Sequence, residues 1–126
     1  MAGRIYDGFV PGRHLIDSFG NGGFRFAEMS HRGSILALPS GIKAWSVSSA
    51  AEFTPEAFAD VIAEAAEIEV LLVGTGPEIR PLPEAVRTRL KEVGLRLDAM
   101  ATAFAAQTYN IMAAEERRVA AALIAV

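Results

Sequence analysis

The sequence predicts an α/β domain: a mixed sheet with helices packed on it and an extra β layer supplied by the N-terminal half. Three observations carry this. Before about residue 50, glycine is dense and apolar residues alternate with polar ones, as in half-buried strands. After it, alanine-rich stretches of helical periodicity alternate with short apolar runs, the order that lays helices on a sheet. The 126 residues, 52% of them apolar, suffice for one core. With no linker, repeat or low-complexity tract, residues 1–126 read as a single domain.

The elements follow in order. His14 to Phe19 and Phe24 to Glu28 read as strands joined through Gly20-Asn21-Gly22-Gly23, which supplies the positive φ of a tight connection. Gly33-Ser34 leads into a strand Ile35 to Leu38, closed by Pro39-Ser40-Gly41. Ile42 to Val47 is a further strand with the only tryptophan, Trp45. Thr54-Pro55-Glu56 starts a helix: a capping hydroxyl, a proline with φ already helical, and an acid at the positive end of the helix dipole. Phe58, Val61, Ile62 and Ala65 then share one face. Ile68 to Val73 is apolar except for Glu69 and too short for a helix, which predicts a buried strand. Gly74-Thr75-Gly76-Pro77 ends it. Pro83 to Val93 is helical, with Val86, Leu90 and Val93 inward and Gly94 as the stop. Leu95 to Leu97 is a short strand, Thr102 to Ala114 an alanine-rich helix with Thr102 as N-cap, and Val119 to Val126 an interior strand apolar on both faces.

Composition excludes several functions. The net charge of −3 argues against a sequence-independent nucleic-acid binder, which must neutralise phosphates. Arg87/Arg89/Lys91 and Arg117/Arg118 are basic clusters without an aromatic platform. The absence of cysteine removes disulfides, thiol catalysis and cysteine-bound zinc. Met1 to Val10 has no apolar signal core, and the longest fully apolar run, Val119 to Val126, is far shorter than the roughly 20 residues of a membrane span. A cytoplasmic chain without a span is the expectation.

No catalytic or metal-binding signature emerges. His14 and His31 each have an acid three residues away, Asp17 and Glu28, a spacing that puts the pair on opposite faces of a strand. Ser40 lacks the elbow of a nucleophilic serine and belongs to a turn. Gly74-Thr75-Gly76 lies at the carboxyl end of a strand, where α/β sheets bind ligands, but lacks the spacing of a dinucleotide or P-loop motif. It is either an anion cradle or a tight turn. Thr108, Tyr109 and Asn110 put three polar groups mid-helix, serving either as internal tethers or as a displayed ligand face.

Several stretches in order resemble the Mth938-like family (DUF498), related to the mitochondrial complex I assembly factor 3 proteins. They are Ile16 to Gly20 with Gly22 to Phe26, Gly33 to Leu36, Pro39 to Gly41 with Trp45, Glu69 to Gly76, and Thr108 to Asn110 followed by Glu115 and Arg117 to Ile124. The resemblance implies a three-layer fold around a mixed five-stranded sheet, the last strand running antiparallel inside it. It also implies an accessory role in assembling a membrane-associated complex, with a respiratory or export component as partner, mitochondrial in eukaryotes, and no assigned enzyme activity or cofactor. The chain departs from the family pattern at Ala101, usually an acid, and at Gln107, commonly arginine.

Two functional readings follow. One is a non-catalytic interaction module with an exposed apolar patch around Phe9, Val10 and Trp45, to which homodimerisation adds a further possibility. The other is a small-molecule or anion site, of a binding protein or an enzyme, where Gly74, Thr75 and Gly76 meet Thr102, Thr108, Tyr109 and Asn110, with Asp17 or Arg25 nearby.

Overall fold

A computed structural model describes residues 8–126. Nine strands and three α-helices follow in chain order: β1 (Phe9–Pro11), β2 (Ser18–Gly20), β3 (Gly23–Phe26), β4 (Met29–Arg32), β5 (Ser34–Leu38), β6 (Gly41–Trp45), α1 (Ala59–Ala63), β7 (Val70–Gly74), α2 (Glu84–Glu92), β8 (Arg96–Met100), α3 (Thr102–Ala114) and β9 (Val119–Leu123). Three 3₁₀ turns, Ala50–Glu52, Pro55–Phe58 and Ala65–Glu67, flank α1.

Two sheets form. The large one has six strands in the order β1-β6-β5-β9-β7-β8, and the small one is β2-β3-β4. The sixth strand, beyond the five that the resemblance implies, is the three-residue edge β1, whose Pro11 sits where no ladder donor is required. β9 is antiparallel to β5 but parallel to β7, so it joins an antiparallel half of the sheet to a parallel half. It is fully buried along its length, as its apolar sequence predicts.

Alternation along each interior strand sends side chains into two cores. On one face Leu36, Leu38, Leu71, Val73, Ala120 and Ala122 pack with Val61 of α1 and Val86 and Leu90 of α2. On the other, Ile35, Ala37, Leu72, Val119, Ala121 and Leu123 pack with Ala105, Ala106, Tyr109 and Ala113 of α3 and with Phe24 and Phe26 of the small sheet. The layers are therefore helices, large sheet, and α3 beside the small sheet. Alanines on both sides of the α3–β9 contact leave little between them, so the helix can seat close to the strand.

Local signals account for most boundaries. Thr54 Oγ1 accepts the Ala57 amide at 3.2 Å, with Pro55 next in the chain, as its type predicts. Phe58 behind it closes a cluster with Trp45 and Phe53, ring centroids 5.4 to 6.1 Å apart. Asn21 and Gly22 have φ of 54° and 79°, the two positive values of a type I′ hairpin. β4, with the polar sequence Met-Ser-His-Arg, has no apolar alternation to announce it and is a strand through its pairing with β3. Conversely, residues 14–17 are extended in sequence character but irregular, and the strand there begins only at Ser18.

Candidate functional site

The parallel strands β6, β7, β8 and β9 end at the same edge of the large sheet. Connections from β7 and β8 there diverge to α2 and α3 on opposite faces, the arrangement that opens a crevice in α/β sheets. A hollow of about 550 Å³ lies there, lined by Ser48, Ser49, Thr75, Gly76, Arg80 and Ile124 among others.

Its polar groups are largely engaged within the protein. Gly74 sits so close to α3 that an added Cβ would stand 2.9 Å from Thr102 Cα and Oγ1. The Thr75 amide donates to the Met100 carbonyl at 2.9 Å, and Thr75 Oγ1 donates to Glu78 O at 2.8 Å while accepting the Arg80 amide at 3.0 Å. The Gly76 amide donates to Thr102 Oγ1 at 3.0 Å, and that hydroxyl donates to Ile124 O at 2.8 Å. Thr102 thus corrects its expected role. The N-cap position is Ala101, and Thr102 is the first helical residue, fully buried, whose hydroxyl straps the β7 loop to the end of β9. Across the hollow, the Ser48 amide and hydroxyl donate to Glu52, holding that carboxyl below its ordinary range through these bonds. Ser49 Oγ caps the Ala51 amide.

The mid-helix polar residues lie further along α3 and serve another neighbour. Asn110 Oδ1 accepts the Ile16 amide at 2.8 Å and its Nδ2 donates to the Ile16 carbonyl at 2.7 Å. One amide side chain therefore satisfies both backbone groups of a residue, as an adjacent strand would. Tyr109 is buried, its hydroxyl 3.5 Å from the His14 carbonyl. Burial raises its pKa above the ordinary tyrosine value, with the Arg13 guanidinium acting in the opposite direction. Thr108 is half-buried on the same helix. Arg25 lies on β3 of the small sheet and Asp17 just before β2, its amide donating to the Arg25 carbonyl at 2.8 Å. The structure brings Gly74, Thr75, Gly76 and Thr102 together, places Tyr109 and Asn110 against residues 14–16, and leaves Asp17 and Arg25 outside the lining of the crevice.

Of the expected apolar patch, Phe9 is exposed at 39%, but its two companions are buried. Val10 and Trp45 are 5% and 7% exposed; Trp45 Nε1 donates to Ala57 O at 2.8 Å inside the aromatic cluster. The large exposed apolar side chains on a helix are instead Phe104 and Ile111, 64% and 61% exposed and seven residues apart on α3. That spacing puts both on one face. The alanine-rich stretch of the helix hid this from pattern reading, because its hydrophobicity has no single side. Among the described residues there is no cluster of three or more histidine, cysteine or acidic groups able to hold a metal, and no helix long and apolar enough to cross a membrane.

Comparison with known proteins accords with this architecture. A crystal structure from Bartonella henselae, described as an outer membrane protein, superposes with a TM-score of 0.89 at 50% identity, covering 92% of this chain and 98% of that one. The solution structure of a Bordetella pertussis protein described as a Mth938-like domain gives 0.77 at 28% identity, covering 88% and 85%. NADH dehydrogenase [ubiquinone] 1 alpha subcomplex assembly factor 3 of Danio rerio is 32% identical over 87% of this chain, which spans 63% of that protein's length. The model of the family described as "Protein of unknown function (DUF498/DUF598)" matches residues 16–124, and the chain belongs to that family.

Proposed function

We propose that this chain is a non-catalytic interaction module that assists assembly or maintenance of a membrane-associated respiratory complex, and that the outer face of α3 is where it meets its protein partner. The observation that carries the reading is the pair Phe104 and Ile111. A helix packed on a sheet ordinarily turns its large apolar side chains to the core and polar ones to water, yet α3 buries Ala105, Ala106, Tyr109 and Ala113 on the sheet and leaves two large apolar groups in solvent. Leu15 is exposed as well, and the residue after it, Ile16, is tied to Asn110 of the same helix. Such a ridge suits an apolar groove on a protein. The name of the assembly-factor relatives supplies the class of partner. A ligand at the strand ends has less support, because the donors there are already bonded internally.

The test is complementation. A strain lacking the chain should accumulate incomplete respiratory complex on native gels, and the wild-type chain should restore it. A Phe104→Glu, Ile111→Glu double variant, folded to the same melting temperature within a few degrees, should fail to restore it. Full restoration by the variant, or normal complex without the chain, overturns the reading.

A further inference from the structure

The small sheet carries a second feature, independent of α3. Phe24 and Phe26 point into the core, so Arg25 between them projects from the opposite, solvent face. Strand register sets Ser18 and Ser30 on either side of Arg25, and Gly20, Gly23 and Arg32 form the next row of that face. Arg25 and Arg32 are therefore diagonal neighbours on adjacent strands, a spacing of about 7–8 Å between backbones that long side chains can bridge. The row is open at Gly20, while Gly23 is packed against the β4 backbone, where an added Cβ would collide with the His31 carbonyl oxygen. A Cβ added at Gly20 would meet no atom within 4 Å. The result is a hollow of about 480 Å³ bordered by Arg25, Arg32, Ser18, Ser30 and Asn21.

The charges there are uncompensated. Arg25 Nη1 donates to Ser30 Oγ at 2.6 Å, and among the described residues neither arginine is ion-paired with a carboxylate. This holds in a chain with 15 acids against 12 bases. Two like charges on adjacent strands repel. The β3–β4 turn that fixes their register is itself strained, with Ala27 and Glu28 at φ of 51° and 62°, a left-handed region that crowds a side chain with a Cβ. Both costs become intelligible if something bridges the arginines.

We propose that this hollow binds the phosphoryl group of a small phosphorylated ligand, held between the guanidinium groups of Arg25 and Arg32 with the Ser18 and Ser30 hydroxyls as further donors. A guanidinium fork matches phosphate oxygens two at a time. A dianion engages both forks, whereas one fork satisfies a monocarboxylate. The open space over Gly20 leaves room for the organic part.

The test is an amide-shift titration by NMR at constant ionic strength, with inorganic phosphate, with glycerol phosphate as a phosphomonoester, and with acetate. Saturable shifts confined to residues 18–32 are expected with both phosphates, and the tighter of the two identifies free phosphate or an organic phosphate as the ligand. An Arg25→Gln, Arg32→Gln variant should bind at least about tenfold more weakly. Arg25→Lys, Arg32→Lys keeps the charge but loses the forks and should fall between. Non-saturating shifts spread over the surface, acetate binding as well as phosphate, or undiminished binding by the glutamine variant would each overturn the proposal. None of these outcomes touches the α3 ridge.

Discussion

The two sheets of this protein are stabilised in different ways. In the large sheet, β9 and its neighbours are covered on both faces, so apolar contact on two sides fixes register and position. The small sheet has one apolar face, built on Phe24 and Phe26, while its other face is open and charged. With half the burial, it must rely more on its turns and on bonds to the rest of the fold. The difference separates a rigid support from a surface whose chemistry remains available. It also predicts that the two regions respond differently to the same kind of perturbation.

The largest effect belongs to the covered region. Thr102→Val keeps the side chain's shape but removes a hydroxyl that accepts from the Gly76 amide and donates to the Ile124 carbonyl, both buried. Leaving two buried backbone groups unpaired costs about 2–4 kcal/mol in all. Urea denaturation should show that loss with little change in slope. A loss below about 0.5 kcal/mol would mean that water replaces the hydroxyl, and that the strand ends are less sealed than the geometry indicates. Removing a hydroxyl on the open face of the small sheet, as in Ser30→Ala, has no buried partner to orphan, because the bond from Arg25 there is exposed.

The next effect runs the other way and acts only where burial is thin. The two hairpins of the small sheet turn through similar positive φ values, but Asn21-Gly22 is the residue pair that conformation favours, while Ala27-Glu28 is not. Replacing Ala27→Asn and Glu28→Gly should relieve strain and stabilise the domain by about 1–2 kcal/mol, or roughly 3–8 °C in melting temperature. An unchanged or lower melting temperature would show that the turn is not under strain. If the strain serves the arginine pair, phosphate affinity should also change in the relaxed variant.

This contrast explains what was legible in the sequence. The large sheet announced itself: of the apolar run Val119 to Val126, Val119–Leu123 form an interior strand while the last two residues are half-buried outside it. Val70–Gly74 pairs beside it where the run Ile68 to Val73 predicts a strand, and α3 spans its expected residues. The small sheet was half legible. Phe24-Arg25-Phe26 alternates, but β4 depends on a partner strand that lies outside any local window. The candidate site was harder still. Thr102 reads as an N-cap and Asn110 as a mid-helix polar group, yet their partners, Ile124 and Ile16, are 22 and 94 positions away. Which glycine, hydroxyl or arginine faces another depends on pairing register, and no spacing in the chain encodes that.

The smallest effect concerns the layer that joins the two sheets, where Tyr109 packs among Phe24, Phe26 and Ile35. Burial raises the pKa of its hydroxyl above the ordinary tyrosine value. The folded chain therefore holds this proton more tightly than the unfolded chain. Stability from the difference is fully present below about pH 10, the unfolded value, and is lost as pH rises toward the folded pKa. Tyr109→Phe cannot ionise there. At neutral pH it should cost little, because the hydroxyl's bond to His14 O is long at 3.5 Å. Between pH 9 and 11 the wild type should lose stability faster than the phenylalanine variant, and subtracting the two curves cancels the titration of lysines common to both. Parallel curves would mean that the hydroxyl reaches solvent in the folded state, and that the seam between the sheets is looser than either sheet.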